Sequence, residues 1–284
     1  MDGHHPNHPD RSDWDHKPSG QSDRKITGFG QGRRILITGA AKRLGAYLAE
    51  ACLQDGWHVI LHCHQSIKDA EALIDQWRDD YGAEHVKASI IRADLSCPDD
   101  TESLMAKASE SGPLHGLINS ASSFLYDDGF DFTAAQAHHH LAVNLIAPAL
   151  LIRDFVKQLP DGETGAVINM LDSKLFGLNP DYFSYTLSKA GMQTLGMMAA
   201  QAYAPQCRIN AIAPGITLPS GGQNDAEFQA AHKRNLLGQG ASVEEIISAM
   251  RLLLTSPAMT GHTIVLDGGA HLNPQMRDVA FLND

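Results

Sequence analysis

No run of apolar residues approaches the roughly 18 needed to cross a bilayer, and the amino terminus has no apolar core of the secretory-leader kind. The expectation is a soluble, cytoplasmic chain with no membrane partner. Basic residues are also short, because 22 Lys and Arg stand against 33 Asp and Glu, a formal net charge of −11. Nothing basic is extensive enough to neutralise a run of phosphates, which argues against nucleic acid as a partner. Cysteine is scarce and unpatterned. Cys52, Cys63, Cys97 and Cys207 show no C-x-x-C spacing and lie in or beside segments that read as core elements, so reduced buried thiols are expected rather than disulfides.

Residues 1–32 have almost no aliphatic side chain, so they cannot bury enough surface to offset the entropy of ordering. They read as a mobile polar tail. His4, His5, His8 and His16 belong to that tail and not to a metal site. From Arg33 the texture changes, and residues 33–284 read as one domain. Short β-branched runs alternate with longer helical patterns, the signature of βαβ units feeding a parallel sheet. "RILIT" (34–38), "HVILHC" (58–63), "VKASIIRA" (86–93), "GLIN" (116–119), "GAVINML" (165–171), "CRINAIA" (207–213) and "TIVLD" (263–267) are the seven strand candidates. Stretches between them, such as "GAYLAEACLQDG", repeat apolar residues at helical spacing and stop at glycine. The fold expected is α/β, a Rossmann-type doubly wound parallel sheet with helices on both faces and ligands at the carboxyl edge of the strands.

"ILITGAAKRLGAYLAEA" runs from a buried strand through a turn with Gly39 and Gly45 into a helix, the arrangement in which main-chain N–H groups and a helix N-terminus receive a pyrophosphate. The next strand ends "HCHQS", with no Asp or Glu to accept ribose hydroxyls or to repel a 2′-phosphate. Lys42 and Arg43 in the turn, with His64, Gln65 and Ser66 across from it, supply cationic and neutral donors instead. NADPH is the cofactor inferred, in preference to NADH.

"TGAAKRLG" at the turn, "ADL" at 93–95, "NSAS" at 119–122, Asn144 in "AVNLIAP", the Tyr185-x-x-x-Lys189 pair, "APG" at 213–215 and "LDGG" at 266–269 form a specific set. On these marks the chain resembles the short-chain dehydrogenases/reductases over roughly residues 33–271. Within that superfamily "TGAAKRLG" with Arg43, "HCHQS", "SASSF" and "NMLDS" with Asp172 resemble the pteridine and dihydromonapterin reductases. The resemblance implies that NADPH lies along Gly39, Lys42, Arg43, Leu44 and Gly45, with His64, Gln65 and Ser66 at the 2′-phosphate and Asp94 and Leu95 at the adenine. Asn119, Ser120 and Ala121 would flank the ribose, and Tyr185, Lys189, Pro214 and Gly215 the nicotinamide end. Two departures stand out: Gln65 replaces the arginine usual in pteridine reductases, and Ser120 replaces a second asparagine. The resemblance also implies a homotetramer or homodimer.

A tyrosine is almost wholly protonated at neutral pH, and a lysine ammonium one helical turn away favours the phenolate, making Tyr185 a readier acid. It would deliver the proton that matches an incoming hydride. Lys189 would hold the nicotinamide ribose, as similar enzymes imply, and Asn144 a water that relays protons from Lys189. Carbonyl reductases of this superfamily generally have serine where Asp172 stands. Two like charges about 4 Å apart repel by roughly 4 kcal/mol at an effective dielectric near 20, so a carboxylate opposes an alkoxide. An imine nitrogen gains a proton as hydride adds at carbon, and a carboxyl group that feeds Tyr185 helps it. A dihydropterin has such a bond. Two points stay open: Ser173 replaces Asp172 if the strand end shifts by one residue, and Asp172 opposes Lys189 if it lies against the phenol.

Phe124 in "SASSF" offers a ring on which a pterin would stack, Ser122 a polar contact, and Arg43 a reach to both cofactor and substrate, as in the resembled family. Consecutive histidines in "AHHHLAV" (137–143) point in different directions on a helix and read as surface or interface groups. Residues 215–240 read as a lid, and the segment from Asn273 as an arm over a neighbouring subunit. The expected activity is NADPH-dependent reduction of a dihydropterin. The alternatives are a carbonyl reductase using Ser173 with Tyr185, and a cofactor-binding sensor without turnover.

Overall fold

The computed structural model describes residues 28–219 and 225–281. All seven expected strands form: β1 (Arg34–Ile37), β2 (His58–Cys63), β3 (Ala88–Arg92), β4 (Gly116–Asn119), β5 (Gly165–Met170), β6 (Cys207–Pro214) and β7 (Thr263–Leu266). They make one parallel sheet in the order β3-β2-β1-β4-β5-β6-β7. The chain runs outward from β1 to β3, returns to β4 beside β1, and runs outward again. That reversal opens a crevice between β1 and β4, where doubly wound sheets bind ligands.

Period-two alternation sends side chains to the two faces of the sheet. Ile35, Ile37, Val59 and Leu61 pack under α1 (Arg43–Gln54), α2 (Ile67–Tyr81) and α8 (Val243–Thr255). Leu36, Ile60, Leu117, Val167 and Ile209 pack on the other face, under α3 (Pro98–Ser109), α5 (Ala147–Lys157) and α6 (Phe183–Ala202). Pro98 opens α3 at its first turn, and a reciprocal Ser242–Glu245 capping box starts α8. The helical stretch after β4 is α4 (Ala134–Leu141), which continues through a π-helical turn, Ala142–Ile146, into α5. The short helix α7 (Asp225–His232) follows β6 in the stretch expected to be a lid, part of which, residues 220–224, lies outside the described residues.

Composition placed residues 1–32 in a polar tail. Residues 1–27, with His4, His5, His8 and His16, lie outside the described residues. Residues 28–32 are docked instead: Gly30 N–H donates to the Asp55 carbonyl (2.9 Å), and Phe29 sits edge-on to Trp57 with centroids 6.0 Å apart. Trp57 is 2% exposed, and the Phe29 ring shields it from water. No described helix is long and apolar enough to cross a membrane.

Candidate active site

The turn between β1 and α1 is built for close approach. Gly39 has φ +65°, and a Cβ there would lie 2.8 Å from Ala121 Cα. A Cβ on Gly45 would lie 2.1 Å from the Gly39 carbonyl oxygen. Thr38 Oγ1 accepts the N–H groups of Ser120 and Ala121 at 3.0 Å each, joining this turn to the end of β4. Lys42 gives α1 no side-chain cap, and the first turn holds no acidic residue. The first N–H groups of α1 are thus without a side-chain acceptor at the N-cap, a setting that fits the pyrophosphate of a dinucleotide.

His62 completes the turn. Its Nδ1 accepts the Gly39 N–H (3.2 Å) and its Nε2 reaches the Ala93 carbonyl (3.1 Å). Burial pushes its pKa down to about 4, so the ring stays neutral and keeps one donor and one acceptor. The sequence reading missed it, because within "HVILHC" it is one strand residue among apolar neighbours.

A cleft of about 1030 Å³ runs along the carboxyl edge of the sheet. It is lined at one end by Gly39, Lys42, Arg43, Leu44 and Gly45 together with His64, Asp94 and Leu95, and further along by Ser120, Ala121, Ser122 and Phe124. Asp172, Tyr185, Lys189, Pro214 and Gly215 line the far side. Asp94 accepts from Ser96 N–H (2.9 Å) and Oγ (2.7 Å), bonds that lower its pKa. Lys42 pairs with Asp69 of α2 at 3.1 Å. Arg43 has φ +53°, where glycine is at ease, and its guanidinium donates to the Pro219 carbonyl (2.6 Å) beyond β6.

Four expected contacts do not line the cleft: Gln65, Ser66, Asn119 and Asn144. Asn119 is 1% exposed and donates its Nδ2 to Asn169 Oδ1 (2.9 Å), its partner across the β4–β5 ladder, so it ties strands together. Asn144, in the π-helical turn, is buried. Its Oδ1 accepts Ser123 N–H (2.8 Å), while Nδ2 donates to the Ser123 carbonyl (2.9 Å) and Ser188 Oγ (3.0 Å). Its amide anchors the segment carrying Ser122 and Phe124.

Tyr185 sits at the start of α6, 5% exposed, and its hydroxyl donates to Asp172 Oδ2 at 2.8 Å. The other oxygen of Asp172 accepts Lys174 N–H (2.8 Å), which fixes the carboxylate. Ser173 lines the cleft, but among the described residues no hydrogen bond joins it to Tyr185. Lys189 is 3% exposed and gives its ammonium to the Met170 carbonyl (2.8 Å), 5.8 Å from the Tyr185 ring centre. The expected lowering of the tyrosine pKa is not found. Burial first, then Asp172, raises Tyr185 well above the ordinary range. Burial depresses Lys189 to about 8, with Asp172 opposing. The lysine head turns to main chain at the end of β5, and the nearest strong charge to the phenol is negative.

Phe124 stacks on Tyr182 (centroids 4.2 Å, planes 14° apart) and stands edge-on to Tyr185 (4.7 Å, 79°), with about half its surface open. The carboxyl-terminal segment supports this wall from its own chain. Arg277 Nε pairs with Asp181 (2.8 and 3.0 Å), Asp278 N–H donates to Asp181 (2.7 Å), and Lys174 meets Asp278 at 3.1 Å. Phe281 lies edge-on to Tyr126 at 5.0 Å. The carboxyl-terminal arm thus packs beside the cleft of its own chain, tied to the buried carboxylate of Asp181. Lys174, Asp181, Tyr182, Arg277 and Asp278 had no local signal in the sequence.

A buried tyrosine–lysine pair on a helix facing a glycine turn across a seven-stranded sheet defines the short-chain dehydrogenase/reductase class. Residues 39–271 match the family model described as enoyl-(acyl carrier protein) reductase, and the chain belongs to that family within the superfamily. It is similar to pteridine reductase 1 of Leishmania tarentolae, 29% identical with 84% of this chain and 96% of that protein covered. It is also similar to dihydromonapterin reductase of Klebsiella pneumoniae, 28% identical over 85% of this chain and 98% of the other. Among solved structures, the FolM alternative dihydrofolate reductase 1 from Brucella canis, complexed with NADP, is 35% identical with a TM-score of 0.81, covering 88% of this chain and 98% of that one.

Proposed function

We propose that this chain is an NADPH-dependent reductase of a dihydropterin of the dihydromonapterin or dihydrobiopterin kind, forming the tetrahydropterin by reduction of a C=N bond. The observation that carries the reading is the 2.8 Å hydrogen bond from Tyr185 to Asp172. A carboxylate so placed disfavours negative charge on a reduced oxygen but not a nitrogen that ends the reaction protonated and neutral. The relatives named for pterin and dihydrofolate reduction support the same substrate class, and some dihydrofolate turnover accompanies it.

The Gly39–Gly45 turn and the N-terminus of α1 would hold the pyrophosphate, with His64, Lys42 and Arg43 nearest the 2′-phosphate and Asp94 at the adenine. NADPH, when bound, supplies the hydride. The chain's own work is with protons. Tyr185 gives its phenolic proton to the ring nitrogen and regains one taken up from solvent by Asp172, which is partly exposed in the cleft, so that a phenolate never persists beside a carboxylate. Lys189 keeps the floor of the site cationic below about pH 8 and would hold the ribose. Phe124 forms one wall for the flat ring, and Ser122 and Arg43 contact its polar edge. A dimer or tetramer is part of the proposal, supported by α6, whose outer face shows Leu187, Met197 and Met198 and carries no charged residue.

The test is consumption of NADPH, followed at the nicotinamide absorbance, with a panel of 7,8-dihydropterins and small ketones. Oxidation with dihydropterins is expected. Turnover of ketones alone, or tight NADPH binding without any turnover, overturns the reading.

A further inference from the structure

His140, the last of the three consecutive histidines, is fully buried, and both ring nitrogens are engaged. Leu125 N–H donates to Nε2 at 3.1 Å, and Nδ1 lies 2.7 Å from Ser184 Oγ. A main-chain N–H can only donate, so Nε2 is the bare nitrogen and Nδ1 carries the hydrogen. Nδ1–H then donates to Ser184 Oγ, and the serine hydroxyl donates in turn to Asp127 Oδ2. The second oxygen of Asp127 accepts Ser184 N–H (3.0 Å), and its carbonyl accepts Phe183 N–H (3.2 Å). Hydrogens are handed from histidine to serine to aspartate, the reverse of the direction that activates a serine nucleophile. The line joins the segment carrying Phe124 to the first turn of α6, one residue before Tyr185.

We propose that His140 is a positioning residue for the aromatic wall: neutral, it holds Leu125–Asp127, and with them Phe124, against the helix of Tyr185, and its protonation releases that wall. The inference rests on reading Phe124 as the surface a flat substrate stacks on. A second hydrogen on the ring sets Nε2–H against Leu125 N–H, donor facing donor, in a place closed to water. The groups facing the ring are Leu125 N–H and the Asp127 carboxylate from the wall segment, Ser184 Oγ and the Tyr185 ring (6.2 Å) from α6, and His139 (6.5 Å) from its own helix. Burial holds His140 below the usual histidine range, with Asp127 opposing and His139 reinforcing. The unfolded chain therefore takes the proton first as pH falls, so the wall is fully held at neutral pH and weakens below about 6.5.

The experiment follows KM for 7,8-dihydrobiopterin from pH 7.5 to 5 in the wild type, His140→Gln and His140→Ala. Amide exchange of residues 123–127 is followed in parallel with NADPH and no substrate. In the wild type KM should rise about tenfold on the acid side, the loss of one net hydrogen bond, with a smaller change in kcat. The glutamine variant can accept from Leu125 and donate to Ser184 but cannot be protonated, so its KM should stay flat with pH. The alanine variant should show raised KM throughout, lost protection at Leu125, and unchanged NADPH affinity. An acid-side rise of KM that persists in His140→Gln overturns the proposal, as does full Leu125 protection in His140→Ala. If alanine prevents folding, the wild type and the glutamine variant still decide. If dihydrobiopterin is not turned over, the substrate reading fails while the exchange arm judges the wall alone.

Discussion

Lys189→Met replaces a buried ammonium with an apolar side chain of similar length. Lys189 is 3% exposed, and burial lowers its pKa from the ordinary 10.5 to about 8. That displacement corresponds to about 3 kcal/mol of folding free energy forgone at pH 7, where the lysine is charged in both states. Methionine removes the penalty but leaves the Met170 carbonyl without its 2.8 Å donor, a loss of about 1 kcal/mol. The variant is therefore expected to be about 2 kcal/mol more stable than the wild type at pH 7, while losing reductase activity. The sign of the pH dependence follows from the depressed pKa. Between about pH 8 and 10.5 the unfolded wild type holds more protons than the folded one, so wild-type stability rises with pH and the advantage of the variant vanishes by about pH 10.5. Urea unfolding of both proteins without NADPH, at pH 7 and pH 10, measures the difference; omitting the cofactor removes its mass-action contribution. A variant less stable at pH 7, or an advantage that does not shrink with pH, refutes the reasoning.

Asp172→Ser replaces the charged acceptor of the Tyr185 hydrogen bond with a shorter, neutral hydroxyl and removes a charge that raises the phenol's pKa. Dihydropterin kcat should fall by about 10²-fold or more, reduction of a small ketone should rise, and the tyrosine should titrate lower; unchanged pterin turnover removes the role given to this residue. Gly45→Ala places a methyl 2.1 Å from the Gly39 carbonyl oxygen, so the turn must move. NADPH titration should show at least about tenfold weaker binding, with roughly 1–3 kcal/mol lost from stability, and wild-type affinity would show that the turn does not approach the cofactor.

Much of the site was legible because its parts are local. Gly39 and Gly45 bound a strand-to-helix turn in one short stretch, and Tyr185 and Lys189 share a helix face by spacing alone. Asp172 was singled out by its place thirteen residues before Tyr185 and by the resemblance, which puts serine there in most relatives, and it does meet the tyrosine. Other expectations depended on where a side chain turns. Gln65 and Ser66 follow β2 yet do not line the cleft, Asn119 faces Asn169 within the sheet, and Asn144 is taken up by Ser123 and Ser188. The histidine run read as surface groups, but helical geometry turns His140 inward while His139 lines the cleft.

The sequence by itself determined the seven strands, their alternation with helices, the glycine turn and the tyrosine–lysine pair, since each depends on periodicity or backbone freedom within a few residues. Tertiary structure alone decided the electrostatics of the site: that Lys189 turns to Met170, that the phenol lies against a carboxylate, and that Arg277 reaches Asp181 across 96 residues of chain. Burial and the sign of the nearest charge set a proton's affinity, and both come from segments remote in sequence that only the closed fold brings together.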